Sequence, residues 1–207
     1  MRPALLLSLV LPLAGASSAL ADDEALRAQA LLATLNAELL SRDSATATLQ
    51  RWCELRGLAP GQPIVARRQA GPPVEPGPEV LAALGAAPGE AIRHRRVSLT
   101  CGAHVLSIAD NWYRPSRLTP EMNRALADTE TPFGVVVAPL GFRRRTLSVD
   151  VLFQPLPEGW EAGGDIPAGS PAIPDHILRH RAVLTDASGA PFSVVEETYT
   201  SAAIAPR

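Results

Sequence analysis

The spacing of apolar residues changes once along this chain, and that change limits the fold more than any other feature. Up to Gly57 apolar positions recur every three or four residues, whereas from Ile92 onward they mostly alternate. Leu26, Ala30, Leu31, Leu35, Leu39 and Leu40 predict an amphipathic helix over Asp23 to Leu40, with Asp22, Asp23 and Glu24 at its positive dipole end. Asp43 and Ser44 can cap a second helix running to about Arg56, stopped by Gly57 and Pro60. Between the two regimes, residues 59–79 hold six prolines, which leaves a loop or at most an edge strand at Ile64 to Arg68.

Beyond that loop a short helix is expected at Glu79 to Leu84, then a hairpin of Ile92 to Leu99 and His104 to Tyr113 turning at Cys101-Gly102. Thr119 as cap and Pro120 at the first helical position start a helix that ends near Asp128. Strands follow at Arg144 to Phe153, about Ile177 to Thr185, and Phe192 to Thr200. Helices first and antiparallel strands later predict an α+β domain, a single antiparallel sheet with flanking helices.

All 19 basic residues are arginine, which excludes Schiff-base chemistry and a phosphate-loop lysine. A formal net charge of −2 gives no electrostatic ground for a nucleic-acid or anionic-membrane partner, so a small-molecule ligand is the expected partner. Arg2, the apolar run Ala4 to Ala14 and the small-x-small triplet Ala19-Leu20-Ala21 read as a secretory signal peptide over residues 1–21. The run is well short of the ~20 residues that span a bilayer, so no membrane attachment is expected after cleavage. Residues 22–207 then form one domain, periplasmic or secreted, of open oligomeric state. Cys53 and Cys101 form a disulfide there or stay as two buried free thiols, the second being sufficient because a domain of this size builds a core without a staple. No CxxC, HExxH, GxGxxG or GxSxG occurs after the leader, and no metal or cofactor is implied. His176 and His180 are four apart, but on a strand that spacing separates them, so they do not suggest a metal site.

Strand alternation assigns faces. In the last strand Glu197 shares a face with Val195 and Tyr199, and is expected to point inward. Asp110 shares parity with Leu106, Ile108 and Trp112 and is expected beside it. Arg143 and Arg145 share parity with Leu147, Val149 and Val151, making them natural partners for buried carboxylates. Two readings are open: a structural ion-pair cluster, or the floor of a ligand pocket.

Four segments, Leu39 to Thr46 with its Asp43-Ser44-Ala45-Thr46 turn, Asp110 to Leu118, Thr131-Pro-Phe-Gly134, and Val194 to Tyr199, resemble the chorismate lyase family of ubiquinone biosynthesis in order and separation. That resemblance implies a chorismate lyase-like fold, an antiparallel sheet whose helices close over an internal cavity, which effector-binding UTRA domains share. It implies that Glu197 holds the ligand, assisted by backbone at Ala45 and Phe133. The family's hairpin arginine is replaced by Asp110, which would repel a carboxylate unless Arg143, Arg145 or Arg181 supplies the missing charge. The expectation is an exported domain binding a small organic ligand, aromatic ones included, without catalysis. The alternatives are a chorismate pyruvate-lyase giving 4-hydroxybenzoate, with Glu197 as its acid, or a structural protein with no ligand.

Overall fold

A computed structural model describes residues 15–166 and 170–206, with side chains from Glu24 onward. Most of the predicted leader, residues 1–14, lies outside the described residues. Six strands form one sheet in the order β1-β2-β3-β6-β5-β4, every neighbouring pair antiparallel. They are β1 (Ile64–Arg68), β2 (Arg93–Cys101), β3 (His104–Tyr113), β4 (Arg143–Val151), β5 (His176–Thr185) and β6 (Pro191–Thr200). The helices are α1 (Gly15–Leu40), α2 (Ala45–Leu55), α3 (Pro78–Leu84), α4 (Pro120–Asp128) and α5 (Phe133–Val136). This is the α+β arrangement expected from the sequence, with α1 beginning earlier than Asp23. None of the described helices is long and apolar enough to cross a membrane.

Helix starts follow their side chains. The Ser44 hydroxyl accepts from the Ala47 amide at 3.2 Å and caps α2, and the Thr119 hydroxyl accepts from the Met122 amide at 3.2 Å ahead of Pro120 in α4. The helices divide unequally between the sheet's faces. On the inner face, Leu32, Leu35 and Leu39 of α1 and Leu49 and Trp52 of α2 pack with Val97, Leu99, Leu178 and Tyr199. Further along the same face, Met122 and Leu126 of α4 and Phe133 of α5 pack on Ala182, Leu184 and Val195. The outer face carries one small apolar cluster, where Val80 and Leu84 of α3 meet Trp112, Val183 and Val194. Most of the rest of that face is polar, carrying Arg96, Asp110, Arg145, Arg181 and Glu196 beside the apolar Ile108 and Val105.

Cys53 of α2 and Cys101 at the end of β2 are joined in a disulfide with Cα atoms 6.2 Å apart, so the free-thiol alternative does not hold. The bond staples the helix layer to the sheet's inner face.

Candidate functional site

Glu197 sits on the inner face of β6, opposite Ala109 of β3 and His180 of β5. Its side chain is 8% exposed, and a carboxylate so buried requires compensation. Arg144 of β4, itself 3% exposed in its side chain, donates from Nη2 to Glu197 Oε2 at 2.7 Å. The Tyr199 hydroxyl donates to the same oxygen at 3.1 Å. His180 is fully buried beside this pair, with its ring edge-on to Tyr199 and its Nε2 2.8 Å from Oδ1 of Asn36 on α1. Pairing with an amide oxygen makes Nε2 the protonated nitrogen.

Burial dominates the electrostatics. Desolvation first, and then the Arg144 charge, push the His180 pKa down to about 4, so the ring is neutral at pH 7. Burial also lifts Tyr199 well above its usual range, reinforced by Glu197. For Arg144 burial works against the cation, but the charge and hydrogen bond of Glu197 outweigh it and the pKa rises. Two buried nitrogens, Arg144 Nε and His180 Nδ1, have no partner among the described residues.

Two turns close over this floor. One is Asp43-Ser44-Ala45-Thr46 at the start of α2; the other is Thr131-Pro132-Phe133-Gly134 at the start of α5. Asp43 fixes the first turn to the sheet by accepting from the Arg144 amide at 2.9 Å and the Arg143 guanidinium at 3.0 Å. The Arg144 amide is the main cause of the lowered Asp43 pKa. The turns meet at Gly134, where a β-carbon would stand 3.1 Å from Thr46 Oγ1 and 3.2 Å from Ser44 Oγ, so a larger residue would have to push these hydroxyls back by a few tenths of an ångström. The first amides of each helix, at Ala45 and Phe133, have no acceptor within their own helix.

Between turns and floor lies a cavity of about 30 Å³ lined by Ala45, Phe133, Asn111, Arg144 and Glu197, with apolar walls from Val97, Leu99 and Val195. That is on the order of a single water molecule. A cleft of about 840 Å³ lies on the other side of the turns and shares Asp43, Ser44, Thr46, Gly134 and Phe142 with it. Those five residues are the wall between a small cavity and a large cleft.

The structure brings together Glu197, Ala45 and Phe133 of the residues proposed from sequence, and separates the other four from them. Asp110 pairs with Glu196 across the strands and lies on the outer face, bound to His94 at 2.7 Å and Arg96 at 3.5 Å. Arg145 pairs with Val183 on that same face and is exposed. Arg143 reaches round to Asp43 and not to Glu197. Arg181 is outer as well, held by Glu196 at 2.6 Å and Glu79 at 3.8 Å. The physical reason is the same in both strands: register shifts leave Leu106 in β3 and Leu147 in β4 as extra residues, and each reverses the alternation. The inward residue of the hairpin strand is therefore Asn111, and the inward arginine is Arg144. Among the described residues no cluster of three histidine, cysteine or carboxylate side chains could hold a metal.

Over 178 residues the chain is 47% identical to the uncharacterised protein y4mC of Sinorhizobium fredii (strain NBRC 101917 / NGR234), covering 84% of this chain and 75% of that protein. It belongs to the y4mC family. No family model matches the chain. The effector domain of PhnF from Mycobacterium smegmatis superposes with a TM-score of 0.51 at 16% identity, over 77% of this chain and 89% of that domain. The longer PhnF structure gives 0.52 at 15% identity, over 79% of this chain and 66% of PhnF. This member of the y4mC family thus has the chorismate lyase-like fold of effector domains.

Proposed function

We propose that this y4mC-family protein is an exported receptor for a small organic ligand, seated over Glu197 beneath the two turns, and that it does not turn the ligand over. The observation that carries the reading is the convergence of unlike groups on one buried spot. Glu197 offers an acceptor, while the Ala45 and Phe133 amides at two helix starts offer donors. The walls between them are apolar. A ring bearing a hydroxyl at one end and an oxygen acceptor at the other matches that order. PhnF supplies a parallel, since its matching part is an effector domain.

A cavity of about 30 Å³ is far below the ~300 Å³ of an ordinary ligand site. Binding therefore moves the wall of Ser44, Thr46, Gly134 and Phe142 and joins the cavity to the 840 Å³ cleft behind it. Catalysis by elimination from chorismate is disfavoured because the guanidinium that lines the cavity is already paired with Glu197, and Asn111 stands at the inward hairpin position. Loss of a buried carboxylate clamp costs ~2–5 kcal/mol of binding. Export is supported by the Cys53–Cys101 disulfide, a bond that persists in oxidising compartments.

Native mass spectrometry of protein isolated from its own compartment tests the reading. The expected result is a chain beginning at Asp22 that carries a small molecule, and a Glu197→Ala variant that carries none. Incubation with chorismate should yield no 4-hydroxybenzoate. Turnover that vanishes in Glu197→Ala would replace the receptor with a lyase.

A further inference from the structure

A second cleft, of about 390 Å³, opens at the free edge of β2. Because β1 pairs only as far as Val97, the preceding residues of β2 run on beside the segment 69–73, tied there by the Gln69 amide donating to the Arg96 carbonyl at 3.0 Å. Arg68, Arg93, Arg95 and Arg96 all line the cleft, and no aspartate or glutamate does. In a chain of net charge −2, four of its 19 arginines thus meet in one concavity.

Arg95 is the decisive member. It is 5% exposed, and its Nη2 donates to the Thr129 and Thr131 carbonyls at 3.3 and 3.2 Å. Its Nε and Nη1 have no hydrogen-bond partner among the described residues. No carboxylate of the described residues pairs with this cation, although burying an unpaired charge is costly. Burial, followed by repulsion from Arg68, lowers its pKa. Arg68 is held in place by the Leu126 carbonyl at 2.9 Å, at the end of α4. Arg93 is exposed and makes no ion pair among the described residues, and Arg96 has only the 3.5 Å contact to Asp110. Pro72 and Pro73 give the opposite wall a stiff backbone.

We propose that this cleft is a binding site for a small oxyanion carrying at least two negative charges, a phosphate group or a dicarboxylate, seated on Arg93 and Arg95. Guanidinium groups form strong charge-assisted hydrogen bonds to such oxygens, and Arg95 carries N–H donors on Nε and Nη1 that have no acceptor among the described residues. The enclosed size suits a small molecule. The site is separate from Glu197: the two cavities have no lining residue in common.

Isothermal titration of the purified protein with inorganic phosphate, and separately with succinate, at constant ionic strength tests the proposal. Saturable binding of at least one is expected, and the tighter probe names the class of anion. Arg93→Gln and Arg95→Gln should each weaken it tenfold or more, while Arg145→Gln on the outer face and Glu197→Gln in the other cavity should leave it unchanged. Should Arg95→Gln fail to fold, the exposed Arg93→Gln still decides. No saturable binding of either probe, undiminished binding in Arg93→Gln, or equal loss in Arg145→Gln overturns the proposal. The Glu197→Gln arm keeps this test apart from the receptor reading, whose ligand sits over that residue.

Discussion

The two faces of the sheet carry arginine–carboxylate pairs of nearly equal length and very different meaning. On the inner face Arg144 and Glu197 meet at 2.7 Å, almost without solvent. On the outer face Arg181 and Glu196 meet at 2.6 Å with side chains 34% and 24% exposed. Helices α1, α2, α4 and α5 exclude water from the first pair, whereas α3 covers only a corner near the second. A contact distance alone therefore says little about what a pair is worth. Its surroundings decide.

Breaking the inner pair should be the most damaging change in the chain. Arg144→Met leaves Glu197 as a buried, uncompensated charge, and losing one partner of a buried pair costs ~3–5 kcal/mol. Urea denaturation would show it as a midpoint shift, and a loss under 1 kcal/mol would mean that the two faces are not so different. Removing the staple between the helix layer and the inner face comes next. Cys53→Ser with Cys101→Ser opens a loop of sequence separation 48, worth about 4 kcal/mol on a chain-entropy account. No disulfide holds α3 to the outer face.

The inner face also carries a pH signature. His180 has a folded pKa near 4 against 6.5 for the free side chain, so between those values the unfolded chain binds a proton that the folded chain does not. Stability is then full above about pH 6.5 and falls as the pH drops towards 4, by about 3 kcal/mol over the window. Thermal melts from pH 7 to 4 should show the decline, and His180→Gln should flatten it. An unchanged slope in that variant would move the cause elsewhere.

The faces also mark what alternation alone could reveal. In β6 no register shift intervenes between Val195 and Tyr199, and the inward position of Glu197 was legible. The caps at Ser44 and Thr119 were legible too, since they depend on residues a few positions away. Asp110, Arg143 and Arg145 were misplaced because one extra residue, Leu106 or Leu147, reverses every face beyond it, and nothing in a run of apolar and polar letters announces a bulge. The run Arg143-Arg144-Arg145 did hold a clue to Arg144, because neighbouring residues on a strand cannot all face outward. The disulfide had no such signal: its geometry is set by where α2 lands on β2.

The smallest expected effect completes the contrast. Arg181→Ala removes both its bonds to Glu196 and its 3.8 Å contact to Glu79, yet both carboxylates retain access to water. Exposed pairs contribute ~0.2–1 kcal/mol, and salt screens even that. The variant should lose no more than about 1 kcal/mol, and the loss should shrink in 0.5 M salt, where the Arg144→Met loss persists. Asp110→Asn, also on the outer face, should leave ligand binding over Glu197 untouched. Should Arg181→Ala prove as damaging as Arg144→Met, the outer face would have to be covered in solution by something that dries it.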